Sequence, residues 1–461
     1  MAAMTWLERI TNTVADRGRE LLGLRDGTVR DSLPELCQRL ITGRGEATNI
    51  ALAREVLQRF DTLDPVQKTE FFLMLGDRFG PDVEGVRLAV DAFVKDQPET
   101  LMRLIEAVEP PRQELIRRLN MAPNGTASLI AMRADLLDRL REVPTLKSVD
   151  ADFKHLLSSW FNRGFLRLQR IDWNSSAAIL ERIMRYESVH AIDGWGDLRR
   201  RLAEDRRCFG FFHPALPDEP LVFVEVALTK QPATEIAALI DPDAPMIDAY
   251  TADTAMFYSI NNALRGLRGI SFGNFLLKQV LTELSEELPR LKHFLTLSPM
   301  PRFAKSLGPL LAGEIDGWPT ARLDAVLAEF APVLQQSGQQ RSLCATLRER
   351  LQGGAMVDAH QLAGPLARLA LLYITALKQS RGVCCDPVAA FHLANGATLE
   401  RINVNADRSA KGMQQSFGVM VNYLYNPEQV VANHEAFVHE GRISMSRALQ
   451  REYDKHIAGK R

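Results

Sequence analysis

Through the first third of the chain, apolar residues recur every three or four positions, which predicts helices and no strand. Trp6, Leu7, Ile10 and Val14 share one helical face. A second helix starts at Asp64-Pro65-Val66-Gln67, where an N-cap carboxylate, proline in the first turn and Gln three residues on satisfy the free N–H groups. It turns Phe71, Phe72, Leu75 and Phe79 inward and stops at Gly80-Pro81. Another carries Met132, Leu136, Leu137 and Leu140 before Pro144, and one from Ser148 carries Phe153, Leu156 and Leu157. Such stripes are core or partner-helix surfaces. No catalytic constellation stands out among them, and the ionisable side chains read as ordinary surface. This region is expected to be a helical bundle that packs against something, another subunit being the natural partner.

Beyond about residue 205 the period shortens to that of strands. Cys208–Phe212 is a short strand candidate, His213-Pro214 through Pro220 reads as a turn, and Leu221–Leu228 is the strongest strand signal in the chain. Met256–Ile260 is a third strand, followed by a glycine-bearing loop and a helix with Leu277, Val280, Leu281, Leu284 and Leu288 inward. His293–Leu297 is a strand ending at Ser298-Pro299; helices then dominate to about residue 380, with further strands at 398–403 and 421–425. The fold class is α+β: a helical domain over residues 1–160 and a mixed-sheet catalytic domain over 161–461.

Length and composition narrow the picture. A chain of 461 residues exceeds one ordinary core. The net charge of −1, with both signs interspersed, excludes a surface devoted to nucleic acid or to an anionic membrane, while leaving room for a small basic patch. The longest apolar run, Leu369 to Leu377, is too short to cross a bilayer. Cys37, Cys208, Cys344, Cys384 and Cys385 form no CxxC pair, which fits a reducing compartment, and the cytoplasm is expected. No metal site is expected: His434 and His439 sit five residues apart, about 140° around a helix, and cannot share a zinc face.

The loop between the third strand and its helix is the most informative local pattern. Gly266, Gly269 and Gly273 permit a tight turn and close approach to a ligand. The loop aims N–H groups from a helix N-terminus, which favours a phosphate, and Arg265 and Arg268 add charge. It is neither a P-loop nor the GxGxxG dinucleotide fingerprint. It resembles the pyrophosphate loop of the GNAT acyltransferase superfamily, which binds the diphosphate of CoA.

Longer stretches resemble the malonyl-CoA decarboxylase family: HPALPDEPLVFVEVALT from His213, FYSINNALRGLRGISFGNFLLKQV from Phe257, LKHFLTLSPMPRF from Leu291, DPVAAFHLANGATLERINVNAD from Asp386 and KGMQQSFGVMVNYLY from Lys411. They occur in the family's order and cover most of residues 205–430. The resemblance implies a GNAT-like catalytic domain, malonyl-CoA as substrate, no cofactor, and a homodimer or homotetramer assembled through the helical domain. It places Ser298 at the family's catalytic serine, His392 at its catalytic histidine, and Tyr425 where the histidine is supported. The CoA-binding segment falls on Arg268, Gly269, Ile270, Ser271, Phe272, Gly273 and Asn274. Some relatives have glutamate at the position of Ser271, so a carboxylate that orients the histidine would here need a substitute, such as water or Glu225.

The chemistry implied is loss of CO2 from a malonyl thioester. The enolate left behind is stabilised by backbone N–H groups and then protonated at carbon. A histidine suits the proton transfer, since its unperturbed pKa of about 6.5 lets it exchange protons near neutral pH. Ser298 would hold the departing carboxylate or the thioester oxygen; a role as proton acceptor stays open. Without the motifs around them, a serine before proline is a turn residue and a lone histidine beside Phe391 is a satisfied core residue. An acyl-CoA-dependent transferase and a non-catalytic malonyl-CoA sensor are the competing functions.

Overall fold

The computed structural model describes residues 6–21, 31–270, 276–311, 320–330, 356–376 and 386–458. They fall into two compact units, Met1–Arg167 with Phe212–Leu221 and Asn262–Phe272, and Leu168–Phe211 with Val222–Asn261 and Gly273–Arg461.

The first unit is built on helices, as the periodicity predicts. Asp64 caps the helix Pro65–Asp77, accepting hydrogen bonds from the Val66 and Gln67 amides at 2.8 and 2.9 Å, while Gln67 accepts from the Asp64 amide at 3.1 Å. That helix buries Phe71, Phe72 and Leu75 against Phe60, and the three rings meet with centroids 5.1, 5.6 and 6.0 Å apart. Each fully buried ring contributes about 2–3 kcal/mol, so this cluster anchors the bundle. Leu115, Leu119, Met132, Leu136, Phe153 and Leu156 from the helices Pro111–Leu119, Gly125–Arg139 and Lys147–Trp160 complete the core. The reading of this region's charged side chains as surface is overturned at two places. Arg112 is buried against Asp152, and Arg133 donates to Asp150 at 2.8 Å from a side chain 2% exposed. Sequence periodicity cannot reveal such pairs, because each partner lies on a different helix.

Most of a seven-stranded sheet, in the order β1-β2-β3-β4-β5-β7-β6, falls in the second unit. Its strands are β1 (Arg167–Ile171), β2 (Arg206–His213), β3 (Leu216–Thr229), β4 (Thr254–Asn262), β5 (His293–Pro299), β6 (Thr398–Asn403) and β7 (Met420–Leu424). β4 and β5 are parallel, with the helix Leu276–Glu287 in the connection between them, and β7 is antiparallel to both β5 and β6. The sheet is therefore mixed, as expected of an α+β chain. Two details differ from the sequence reading. The β2–β3 turn is only Pro214-Ala215, because Pro217 and Pro220 are absorbed into β3, where extended backbone suits proline's fixed φ. And β1, whose Arg-Leu-Gln-Arg-Ile carries too few apolar residues to signal a strand, lies at the sheet's edge, largely solvent-facing.

The β4–β5 ladder runs only from Thr254 opposite His293 to Phe257 opposite Thr296, although both strands continue. Pairing between these strands therefore stops short of Ser298. Among the described residues no helix is long and apolar enough to cross a membrane.

Candidate functional site

Ser298 lies within β5, opposite Val421 of β7, rather than in the turn its Ser-Pro dipeptide suggests. Strand alternation puts Thr296, two residues earlier, on the same face, opposite Tyr423. His392 arrives from a short helix, Pro387–Ala394, fixed at both ends. Asp386 caps its start, accepting from the Val388 and Ala389 amides at 2.9 and 3.1 Å, with Pro387 in the first turn. At its end the chain turns through Gly396 at φ +79°, where a Cβ would lie 1.9 Å from the Val430 carbonyl oxygen, so no other residue fits. The neighbouring helix Val430–Glu440 locks this end, Asn433 Nδ2 donating to Gly396 O at 3.1 Å and His434 Nδ1 lying 2.6 Å from Ala394 O.

A helix so constrained delivers the imidazole to one place. His392 Nε2 is 2.9 Å from Ser298 Oγ, Nδ1 is 2.8 Å from the Tyr425 hydroxyl, and the ring stacks on Tyr423 at 4.5 Å and 25°. Ser298 Oγ is also 2.9 Å from Thr296 Oγ1, which accepts a long 3.4 Å bond from the Tyr423 amide. Three hydroxyls and one imidazole form a continuous chain, Thr296–Ser298–His392–Tyr425. All four are buried: Thr296 at 0%, His392 at 2%, Tyr425 at 3% and Ser298 at 6% exposure. Burial pushes His392 down to about 3 and the Tyr425 phenol well above its usual value, so both rings are neutral at neutral pH.

Of the residues singled out in the sequence, Ser298, His392 and Tyr425 are brought together. Thr296 escapes sequence reasoning, its only signal being its place two residues before the serine on one strand. Glu225 is not a stand-in orienting carboxylate: Arg201 Nη1 donates to it at 3.2 Å, and the imidazole nitrogen it would serve is taken by Tyr425. His434 and His439 are likewise engaged, and among the described residues no cluster of three His, Cys, Asp or Glu could hold a metal.

The loop residues Arg265, Arg268, Gly269 and Ile270 form a tight turn in the first unit, with Gly269 at φ +78°. Arg265 pairs with Asp138 at 2.7 Å, and Arg133 Nη1 donates to the carbonyls of Gly266 and Arg268 at 2.6 and 3.0 Å. Ser271, Phe272, Gly273 and Asn274 lie outside the described residues.

Comparison with known proteins identifies the family. The malonyl-CoA decarboxylase N-terminal domain model matches residues 79–161 and the C-terminal domain model matches residues 164–461. The mitochondrial malonyl-CoA decarboxylase of Anser anser anser is 35% identical over 350 residues, 73% of this chain and 68% of that one. The Rattus norvegicus protein of the same name is 35% identical over 359 residues, 75% of this chain and 72% of its own. Crystal structures of malonyl-CoA decarboxylases from Rhodopseudomonas palustris and Agrobacterium vitis superpose with TM-scores of 0.80 and 0.78 at 46% and 45% identity, each over 91% of this chain and 98% of theirs. With both domain models matched in order and the C-terminal one alone covering more than half its length, this chain belongs to the malonyl-CoA decarboxylase family.

Proposed function

We propose that the protein decarboxylates malonyl-CoA to acetyl-CoA and CO2 without a metal or organic cofactor. Ser298 positions the substrate and His392 protonates the enolate. The observation that carries this reading is the buried chain from Thr296 through Ser298 and His392 to Tyr425. A malonyl thioester contains its own electron sink: when the bond between Cα and the carboxylate breaks, the electron pair passes into the thioester as an enolate. The protein then has two tasks, to hold the carboxylate out of the thioester plane so that the bond can break, and to deliver one proton to Cα.

Ser298 Oγ suits the first task, since it is fixed from both sides and its residue lies past the point where the pairing of β4 and β5 ends in separation. Backbone N–H groups along the edge of β4 that this separation frees are the natural donors to the developing oxyanion. His392 suits the second. It is neutral in the free protein, but an anionic carboxylate at Ser298 favours the imidazolium in a dry site, so substrate binding itself supplies the acid. His392 takes up a solvent proton as the anionic substrate binds and passes it to Cα, which leaves the imidazole neutral as in the free protein, and the balance is malonyl-CoA plus one proton to acetyl-CoA plus CO2.

The loop from Arg265 to Asn274 is the binding site for the CoA diphosphate in this reading, and the assembly is a homodimer or homotetramer formed through the helical unit. Supporting the latter, the helices Val83–Asp91 and Pro98–Val108 bury none of their residues and expose Leu88, Val90, Leu101, Met102 and Ile105. A monomeric mass in solution would overturn it. The buried free thiols of Cys37 and Cys208 fit a reducing cytoplasm.

The test is turnover of malonyl-CoA by purified protein without added metal, following acetyl-CoA and CO2. Wild type is expected to yield the two in equal amounts. His392→Asn should lose about 10²- to 10⁴-fold in rate, the range for a positioned general acid, and Ser298→Ala should be strongly impaired. Binding without turnover would leave a sensor. Free CoA thiol released on adding an amine would mean a transferase.

A further inference from the structure

The turn that starts at Arg265 is built onto two helices of the first unit. From Gly125–Arg139, the buried Arg133 guanidinium grips the Gly266 and Arg268 carbonyls, and is itself held by Asp150. Gly266 sits so close to this helix that a Cβ would lie 1.9 Å from Ile130 O. From Lys147–Trp160 comes Lys154. Its Cε and Nζ, each 3.9 Å away, are the atoms nearest to where Gly269 would carry a side chain.

The charges around this turn are unevenly matched. Arg265 is paired with Asp138, and Arg133 with Asp150. Lys154 and Arg268 are both exposed, and among the described residues neither has a carboxylate partner. The Lys154 ammonium thus lies against a left-handed glycine turn whose backbone is stiffened from behind, with Arg268 the residue before that glycine, an arrangement that favours an anion.

We infer that Lys154, a residue of the helical unit, binds a phosphate of the CoA diphosphate, on a loop whose shape Arg133 enforces. The helical unit then holds substrate rather than serving only as a scaffold for assembly. A lysine suits the task because its ammonium is a point charge with rotatable donors, which follows a phosphate through more than one pose. The inference rests on assigning the loop to CoA, and it extends that assignment to a segment the family motifs do not reach.

Two measurements test it, CoA binding by calorimetry and kcat/KM on malonyl-CoA against malonyl-pantetheine, which lacks the diphosphate. Lys154→Ala should weaken CoA binding about tenfold, the value of one charge-assisted hydrogen bond, and Lys154→Glu should weaken it further. The preference for malonyl-CoA over malonyl-pantetheine should fall by the same factor, appearing in KM rather than kcat. Arg133→Lys, which keeps the charge but cannot span two carbonyls and a carboxylate, should produce the same pattern. Lys154→Ala binding CoA like wild type would overturn the inference, as would an equal loss on both substrates. A wild type indifferent to the diphosphate would overturn the loop assignment as well. Lys154-dependent CoA binding without any turnover would uphold the inference and sink the decarboxylase reading instead.

Discussion

Replacing Tyr425 by phenylalanine removes one oxygen atom and leaves the rest of the site in place. The ring keeps its edge contact with His392, centroids 6.0 Å apart, and its burial in the core. What disappears is the 2.8 Å hydrogen bond to Nδ1. That nitrogen belongs to a residue only 2% exposed, so no water replaces the phenol. A buried polar atom stripped of its partner costs about 1–3 kcal/mol. If that cost falls on the transition state, where the imidazole must hold its angle while handing over a proton, kcat drops about 5- to 150-fold. Because burial holds the Tyr425 phenol well above its usual pKa, wild type keeps the bond across the neutral and mildly alkaline range. The ratio of the two rates should therefore be flat with pH there. The assay is acetyl-CoA production at saturating malonyl-CoA, run beside a thermal melt. An unchanged kcat would refute the argument. So would a loss matched by an equal loss of folded protein, since Tyr425 would then be core and nothing more.

Three other outcomes follow from the same geometry. Thr296→Val, which keeps shape but removes the partner 2.9 Å from Ser298 Oγ, should lower kcat on the order of tenfold, and Thr296→Ser should restore it; equal activity of the valine variant would make the threonine mere strand filling. Gly266→Ala should lower the melting temperature, because overpacking of this kind costs about 1–3 kcal/mol and its Cβ meets Ile130 O at 1.9 Å; an unchanged melt would show that the turn can lift away. Burial lowers His392 to about 3 and His190 to about 4, so below an unfolded pKa of about 6.5 the unfolded chain binds protons that the folded one refuses. Each then removes about 1.4 kcal/mol of stability per pH unit as pH falls from about 6.5 towards those values, and His392→Asn should flatten the melting temperature against pH; parallel curves would refute the buried neutral imidazole.

What the sequence could tell depended on whether the information was local. The Asp64 cap, the stripe through Phe71, Phe72 and Leu75, and the apolar run of β3 are properties of neighbouring residues, and were legible. Ser298, His392 and Tyr425 were legible only through family motifs, since nothing in residues 290–300 says that a helix 94 positions later will place an imidazole against the serine. Thr296 was hidden in Leu-Thr-Leu-Ser, where a threonine reads as an ordinary strand former. Arg133 was hidden for the opposite reason: an arginine on a helix reads as solvated, and only the carbonyls of a loop 133 and 135 positions away show it to be buried. Both are residues whose partners are chosen by the fold rather than by adjacency.

The register of β5 has a consequence for how the protein is made. β4 and β5 lie close enough in sequence to pair early, with Phe257 opposite Thr296, but the other neighbour of β5 begins only at Met420, and Thr296 meets Tyr423 across 127 positions. Chains emerge from the ribosome at about 5–20 residues per second, and pairings between distant segments form last because their loops are the most costly to close. For several seconds a nascent chain holds its helical unit, its glycine turn and Ser298, while the strand that completes the site has not been made. With the glycine turn holding the CoA diphosphate as proposed above, in that interval it can recognise a CoA ester without being able to cleave one. Binding and turnover are thus acquired in sequence during synthesis, and a ribosome stalled between these stages should yield the first without the second.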